Sequence, residues 1–368
     1  MKKTNIKVLG IVLFIITILL SLVWLNKDKS NKDQTVVRIA CNLPLTGGLA
    51  TYGTSIKDGA SFAIEEILKK DSSIFFQVDF QDNGGLPKSA VDIFIKQKLQ
   101  TPDIYVSGVK PQTMSIIDNV EKLNIPHFTW VFDAFVTEKY KNVFRTWVNY
   151  KMEPKSYLEY IDNMKPRSIA IAYVDLPHTD EEFNQIILPA LKKRGISVNI
   201  EKYSIEKSDF RDIALKFKSY SPDLMMINGF KSNLIPLVKN FREYNLFTPN
   251  NSLFTFDLLD ASEDLSIEML EGLHVVVPKY ETINDKNLNW KREFLKRFGR
   301  KPRYTDAYSY DMIQFIYNTI KINGKVDLTH KLINTKFEGI TGDFKFDASG
   351  DLILQLEVMK FSNGKMVK

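Results

Sequence analysis

From Val36 onward the chain alternates between short apolar runs and longer segments with helical spacing. The runs are rich in β-branched and aromatic residues: Val36–Ala40, Ile74–Phe80, Ile104–Val106, Ile169–Tyr173, Val198–Ile200, Leu224–Ile227, Leu253–Phe256 and Val275–Val277. Their length and the turn-forming residues around them predict strands. Between them, Ile56, Ala60, Ala63, Ile64 and Ile67 share one face of a helix that starts near Gly53, and Ile213, Leu215 and Phe217 are read onto another. Gly84-Gly85-Leu86-Pro87 closes a strand before a helix, Gly195 follows three cations as a helix C-cap, and Ser221-Pro222-Asp223 ends a helix before Leu224. Strand and helix repeated this often predict βαβ units, with parallel sheets covered by helices on both faces. No long Pro/Ser linker divides the body. Short crossings between two α/β lobes are expected near Phe144–Trp147, Val277–Tyr280 and Phe346–Asp351.

The first residues break this pattern. Lys2, Lys3 and Lys7 precede an uncharged apolar run, Val8–Leu25. At ~1.5 Å per residue, about 18 residues span about 27 Å, the hydrocarbon thickness of a bilayer. The run ends without small residues at a cleavage position, which favours an uncleaved signal anchor over a cleaved signal. Residues 26–35 lack apolar side chains, apart from the threonine methyl, and suit a tether. The N-terminus is assigned to the cytoplasm and the body to the outside.

Composition narrows the chemistry. The chain has 368 residues, room for two domains. Its net charge of +6 is concentrated at the start. Residues 1–34 hold six Lys and two Asp, leaving 44 of the 50 Lys and Arg against 42 of the 44 Asp and Glu. A nearly neutral body does not supply the basic face that nucleic-acid binding needs. One cysteine, Cys41, excludes an internal disulfide and a CxxC metal site, and sits in a strand expected to be buried. The four histidines, 127, 178, 274 and 330, are scattered, and no HExxH, P-loop, GxGxxG or GxSxG motif occurs. No metal, nucleotide or other cofactor is expected. The acidic pairs Glu65-Glu66 and Glu181-Glu182 read as solvated helix faces.

What remains is geometry. The strand Val36–Ala40 leads through Asn42-Leu43-Pro44-Leu45-Thr46-Gly47-Gly48 into a helix. Ligands of open α/β sheets sit beyond the carboxyl ends of strands, and a helix N-terminus offers N–H groups to an anion. The same residues also make an ordinary βα turn, and the sequence alone leaves both readings open.

These residues also carry a resemblance. Pro44-Leu45-Thr46-Gly47, Tyr52-Gly53, Gly59-Ala60 and Ala63 with Glu65-Glu66-Ile67 resemble the opening of the periplasmic leucine/isoleucine/valine-binding proteins, the type I substrate-binding fold of ABC importers. Asp82 with Pro87, Val143-Phe144-Arg145-Thr146, and Ile169-Ala170-Ile171 with Asp175 follow in the family's order. Phe337-x-Gly339-x-Thr341-Gly342 and Phe346-Asp347-x-x-Gly350-Asp351 resemble its closing motif.

The resemblance implies a type I periplasmic-binding-protein fold: two doubly wound parallel-sheet lobes joined by three crossovers, here preceded by a transmembrane helix. The implied division is 1–34 for anchor and tether, 36–146 plus 279–347 for lobe 1, and 147–278 plus 348–368 for lobe 2. It implies a binding protein rather than an enzyme, extracytoplasmic and attached to the cell membrane. Such a protein closes on a small amino-acid-like ligand and hands it to ABC permease subunits. A membrane-anchored sensor that signals through a separate partner is the alternative. Carried over residue by residue, the ligand-binding candidates are Tyr52, Gln112, Thr113, Asp133, His178, Phe230 and Asp257. Gln112 and Thr113 stand where the family has a serine-rich loop. Against these roles stand ordinary ones: Asp133 and Asp257 as loop caps, Phe230 in the core, His178 in solvent. Lys110 in the cleft would favour an acidic ligand, or be solvated.

Overall fold

A computed structural model of the chain describes residues 34–133, 135–148, 152–279 and 285–368. The apolar run Val8–Leu25 and most of its tether lie outside the described residues. Among the described residues, no helix is long and apolar enough to cross a membrane.

The first sheet has five parallel strands: β1 (Thr35–Leu43), β2 (Ile74–Asp82), β3 (Ile104–Gly108), β4 (His127–Trp130) and β5 (Val143–Arg145). They lie in the order β2-β1-β3-β4-β5. The second sheet repeats this winding with β6 (Ser168–Val174), β7 (Ser197–Tyr203), β8 (Leu224–Asn228), β9 (Ser252–Phe254) and β10 (His274–Pro278), ordered β7-β6-β8-β9-β10. These five are parallel. Beyond β10 the sheet turns antiparallel, through β13 (Leu356–Ser362) and β14 (Lys365–Val367), so the second lobe is mixed rather than wholly parallel. A small hairpin, β11 (Phe337–Gly339) and β12 (Gly342–Phe344), stands apart from both sheets. Every residue of β3 and of β8 is buried, as expected of strands covered on both faces.

The helix expected from near Gly53 forms over Ala50–Lys70, with Ile56, Ala60, Ala63 and Ile67 inside. It crosses the helix Tyr304–Asn323 where Gly59 meets the Asp306 carbonyl; a Cβ there would come within 2.1 Å of that oxygen. The Gly59-Ala60 pair is therefore a packing requirement. In Arg211–Tyr220, Ile213 and Phe217 are buried but Leu215 is 53% exposed, because a spacing of two turns a side chain to the other face of a helix.

Chain crossings between the sheets are held by one buried ion pair. Arg145, at the end of β5, has no exposed surface. Its Nε lies 2.8 Å from Asp351 Oδ1, and its Nη2 lies 2.5 Å from both carboxylate oxygens. Thr137 Oγ1 also donates to Asp351 Oδ1, at 2.9 Å. The closing motif is thus the counterpart of the first crossing. The neighbouring motif works similarly. Asp311, buried in the helix Tyr304–Asn323, accepts from the Ile340 and Thr341 amides at 2.9 and 2.8 Å and from the Thr341 hydroxyl at 2.5 Å. Gly339 is required because a Cβ would lie 2.1 Å from that carboxylate.

Arg145→Met should lower unfolding stability by about 3 kcal/mol or more, since it leaves Asp351 without its cation. A urea midpoint unchanged from wild type would remove the pair from its structural role.

Candidate functional site

Loops at the carboxyl ends of both sheets gather around one cavity of about 720 Å³. From the first lobe come Leu49 and Tyr52 after β1, Val109 and Lys110 after β3, and Trp130, Phe132 and Asp133 at the end of β4. From the second come His178 and Thr179 after β6, Asn228, Gly229 and Phe230 at the end of β8, and Phe256 and Asp257 after β9. Trp147 and Glu153 enter from the first crossing, and Arg303 from the start of the helix Tyr304–Asn323. This is the position the sheet topology predicts for a ligand.

Five of the seven sequence candidates line it: Tyr52, Asp133, His178, Phe230 and Asp257. Gln112 and Thr113 do not. Their helix, Lys110–Glu121, turns both side chains inward. Gln112 Nε2 donates to the Gly85 carbonyl. Thr113 Oγ1 lies 2.9 Å from the Gly108 carbonyl and 2.8 Å from Ser107 Oγ, which in turn lies 2.8 Å from His127 Nε2. That network fills the space beneath the cleft, and burial holds the His127 imidazole down to about 3, hence neutral. The loop after β1 resolves into two parts. Leu45 and Thr46 give their amides to Asp82 Oδ1, at 2.8 and 3.2 Å, so this part is a structural turn. Gly48, Leu49 and Thr51 face the cavity.

The walls are aromatic. Tyr52 meets Trp147 edge-on at 6.2 Å between centroids, and Trp147 lies 5.1 Å from Tyr304 and 6.0 Å from Phe256. Phe132 of the first lobe touches His178 of the second at 5.0 Å. Burial lowers the His178 pKa, with Asp133 opposing. Lys110 Nζ is paired with Asp133 Oδ1 at 2.6 Å. The Trp130 indole N–H is buried without a partner and stands as a free donor on the first-lobe wall. Val109, at the start of Lys110–Glu121, holds φ 34° and ψ 154°, a strained conformation for a β-branched residue and one typical of functional sites.

The second-lobe side carries carboxyls. Burial, then Asp260 and Glu153, raise the Asp257 carboxyl well above the usual range. Burial pushes Asp260 up to about 6, with Arg303 pulling down. Glu153 is 1% exposed and raised by burial, and Glu182 behind it is raised by burial and by Glu153. Glu182 overturns the solvated reading of Glu181-Glu182. It opens a π-turn, Glu182–Ile187, that rotates it fully inside, with neither carboxylate oxygen hydrogen-bonded. Glu153 and Trp147 lie on the first crossing, Asp260 on the short helix after β9, and Arg303 before the helix Tyr304–Asn323; no motif in the sequence marks them. Among the described residues, no group of three or more His, Cys, Asp or Glu could hold a metal ion.

Carboxyls kept protonated by burial favour the folded state below their unfolded pKa, and that advantage is lost as pH rises through the raised folded values. The melting temperature of the ligand-free protein should therefore fall between pH 5 and pH 8. Glu182→Gln should reduce that fall, by about 2–4 °C per kcal/mol recovered, with little change at pH 5. Equal destabilisation at both pH values would mean that a charged Glu182 is stabilising.

Known proteins share this architecture. The periplasmic binding protein family model matches residues 36–365. The leucine-, isoleucine-, valine-, threonine- and alanine-binding protein of Pseudomonas aeruginosa is 23% identical over 339 residues, covering 86% of this chain and 87% of that protein. Among solved structures, the branched-chain amino acid transporter substrate-binding protein LivJ from Streptococcus pneumoniae, in complex with isoleucine, superposes with a TM-score of 0.77. It is 18% identical and covers 91% of this chain and 98% of its own. A solute-binding protein of an ABC transporter from Rhodopseudomonas palustris, in complex with 3,4-dihydroxybenzoic acid, gives 0.75 at 16% identity over 90% and 95%. The chain belongs to the periplasmic binding protein family, in the type I fold of the leucine/isoleucine/valine-binding proteins.

Proposed function

We propose that the chain is the extracytoplasmic solute-binding protein of an ABC importer, taking a small amino-acid-like ligand between its lobes. The observation that carries this reading is the polarity of the cleft. Donors, the Trp130 indole N–H and the Lys110 ammonium, lie on the first-lobe wall, and the Asp257 carboxyl lies on the second. A ligand with an acceptor at one end and an ammonium at the other bridges the two walls, and aromatic side chains bury its body. Tyr52, Asp133, His178, Phe230 and Asp257 are the residues assigned to it.

The moving bodies are taken as 36–146 plus 279–347 and 147–278 plus 348–368. The partition of strands between the sheets supports this division. Closure requires a ligand that gains more contact in the closed state than in the open one. The closed pair of lobes then offers a composite surface to permease subunits. The apolar run Val8–Leu25 would keep the protein at the outer face of the membrane.

Screening amino acids by thermal shift should find a compound that raises the melting temperature through mass action. Asp257→Ala should weaken that compound by about 2 kcal/mol, roughly thirtyfold in Kd by calorimetry. Unchanged affinity would remove Asp257 from the site, and a screen without any shift would count against an amino-acid ligand.

A further inference from the structure

The charge balance of the cleft narrows the ligand further. Each cation on its walls has an acidic partner within 4.0 Å, and the cationic donor among them that is buried without a hydrogen bond, Arg303 Nε, is left for the ligand's acceptor end. Lys110 is held by Asp133 at 2.6 Å, Lys231 by Asp264 at 2.8 Å, and Arg303 by Glu263 at 3.1 Å, with Asp260 4.0 Å away. Two lining carboxyls, Asp257 and Glu153, have no cationic partner among the described residues. One ligand ammonium on Asp257 leaves Glu153 unmatched. Glu153 lies on the cavity wall, is 1% exposed, and has an Oε1 without a hydrogen-bond partner. A buried acceptor left open in this way costs free energy until something donates to it. The surrounding surface suits a cation, because the aromatic side chains of Trp147, Phe256 and Tyr52 line the same cavity.

Resting on the reading above, we infer that the ligand carries net positive charge, with a second ammonium or guanidinium group held by Glu153 against the aromatic wall. Two sources fit this chemistry: a cationic amino acid, or the amine left when such an amino acid lacks its carboxylate. The groups facing Glu153 are Glu182 from the π-turn, Asp257 after β9, Tyr157 on its own helix, Tyr304, and the Phe256 backbone N–H, which with Tyr157 hydrogen-bonds to the carboxyl and leaves Oε1 open. None is a cation. Burial pushes the Glu153 carboxyl up to about 7, so at pH 6 it holds its proton in the empty cleft and yields it when the ligand cation enters.

The test is calorimetry of wild type and Glu153→Gln with L-arginine, L-lysine, agmatine, L-leucine and L-glutamate, at pH 6 and pH 8. At least one of the first three should bind ten times more tightly than leucine or glutamate. It should tighten from pH 6 to pH 8 and, at pH 6, release protons from both Glu153 and Asp257, read from buffers of different ionisation enthalpy. Glu153→Gln should weaken it at least tenfold and lower the release by about one proton per ligand. Agmatine binding as well as arginine would assign the amine; arginine binding alone would assign the amino acid. Should Glu153→Gln not fold, Glu153→Asp should bind the cation at least fivefold more weakly. Leucine or glutamate binding more tightly than every cation, or a cation unaffected by the variant, overturns the inference and leaves the binding-protein reading intact. If no amino acid or amine binds at all, that reading fails first and takes the inference with it.

Discussion

Parallel strands can be joined only by crossovers, so a parallel sheet collects all its strand-to-helix loops along one edge. Everything at the candidate site follows from that constraint applied twice. Both sheets wind in the same order, and each gathers the loops after its three central strands at its carboxyl edge. The chain must pass between them, and the passages meet at Arg145 and Asp351. A buried arginine that accepts no other arrangement ties the end of the first sheet to the closing segment. Trp147 and Glu153, a few residues past it, are thereby delivered into the cleft.

The cleft is costly to build. Glu153, Glu182, Asp257 and Asp260 are held where water cannot solvate them, and their mutual repulsion keeps protons on at pH values where free carboxyls are ionised. A purely structural core would replace such groups with apolar ones at no loss. The position of Glu153, Asp257 and Asp260 on one wall, opposite an unpaired indole N–H and among aromatic rings, with Glu182 behind them, gives them a use that stability does not. The strain at Val109, at the mouth of the same cavity, points the same way.

Much of this was legible in the sequence. The apolar runs located eight strands, the central ones because fully buried strands need continuous hydrophobicity and the edge strands β2 and β7 through their β-branched and aromatic residues, and Gly84, Gly195 and Ser221 marked the breaks where left-handed or turn conformations occur. The motif glycines, Gly59 and Gly339, reported close approaches that no periodicity reveals. Short β4 and β5 were missed as strands because three or four residues do not establish a period. Leu215 was misplaced by spacing, and Glu182 by a π-turn that local composition does not signal. At the site, topology indicated the strand ends, and the family resemblance supplied the individual residues there. Gln112 and Thr113 were not, because one turn of helix decides whether a side chain faces the cleft or the network around His127.

The account makes the cleft the working part and closure of two bodies its consequence. Phe132 and His178 already touch across it, as do Arg303 and Glu263, so a modest rotation suffices to enclose a ligand. Small-angle X-ray scattering with and without a bound ligand measures this directly. The radius of gyration should fall on saturation, and the fall should vanish in a variant that no longer binds. An identical scattering curve for the empty and the demonstrably occupied protein would contradict closure.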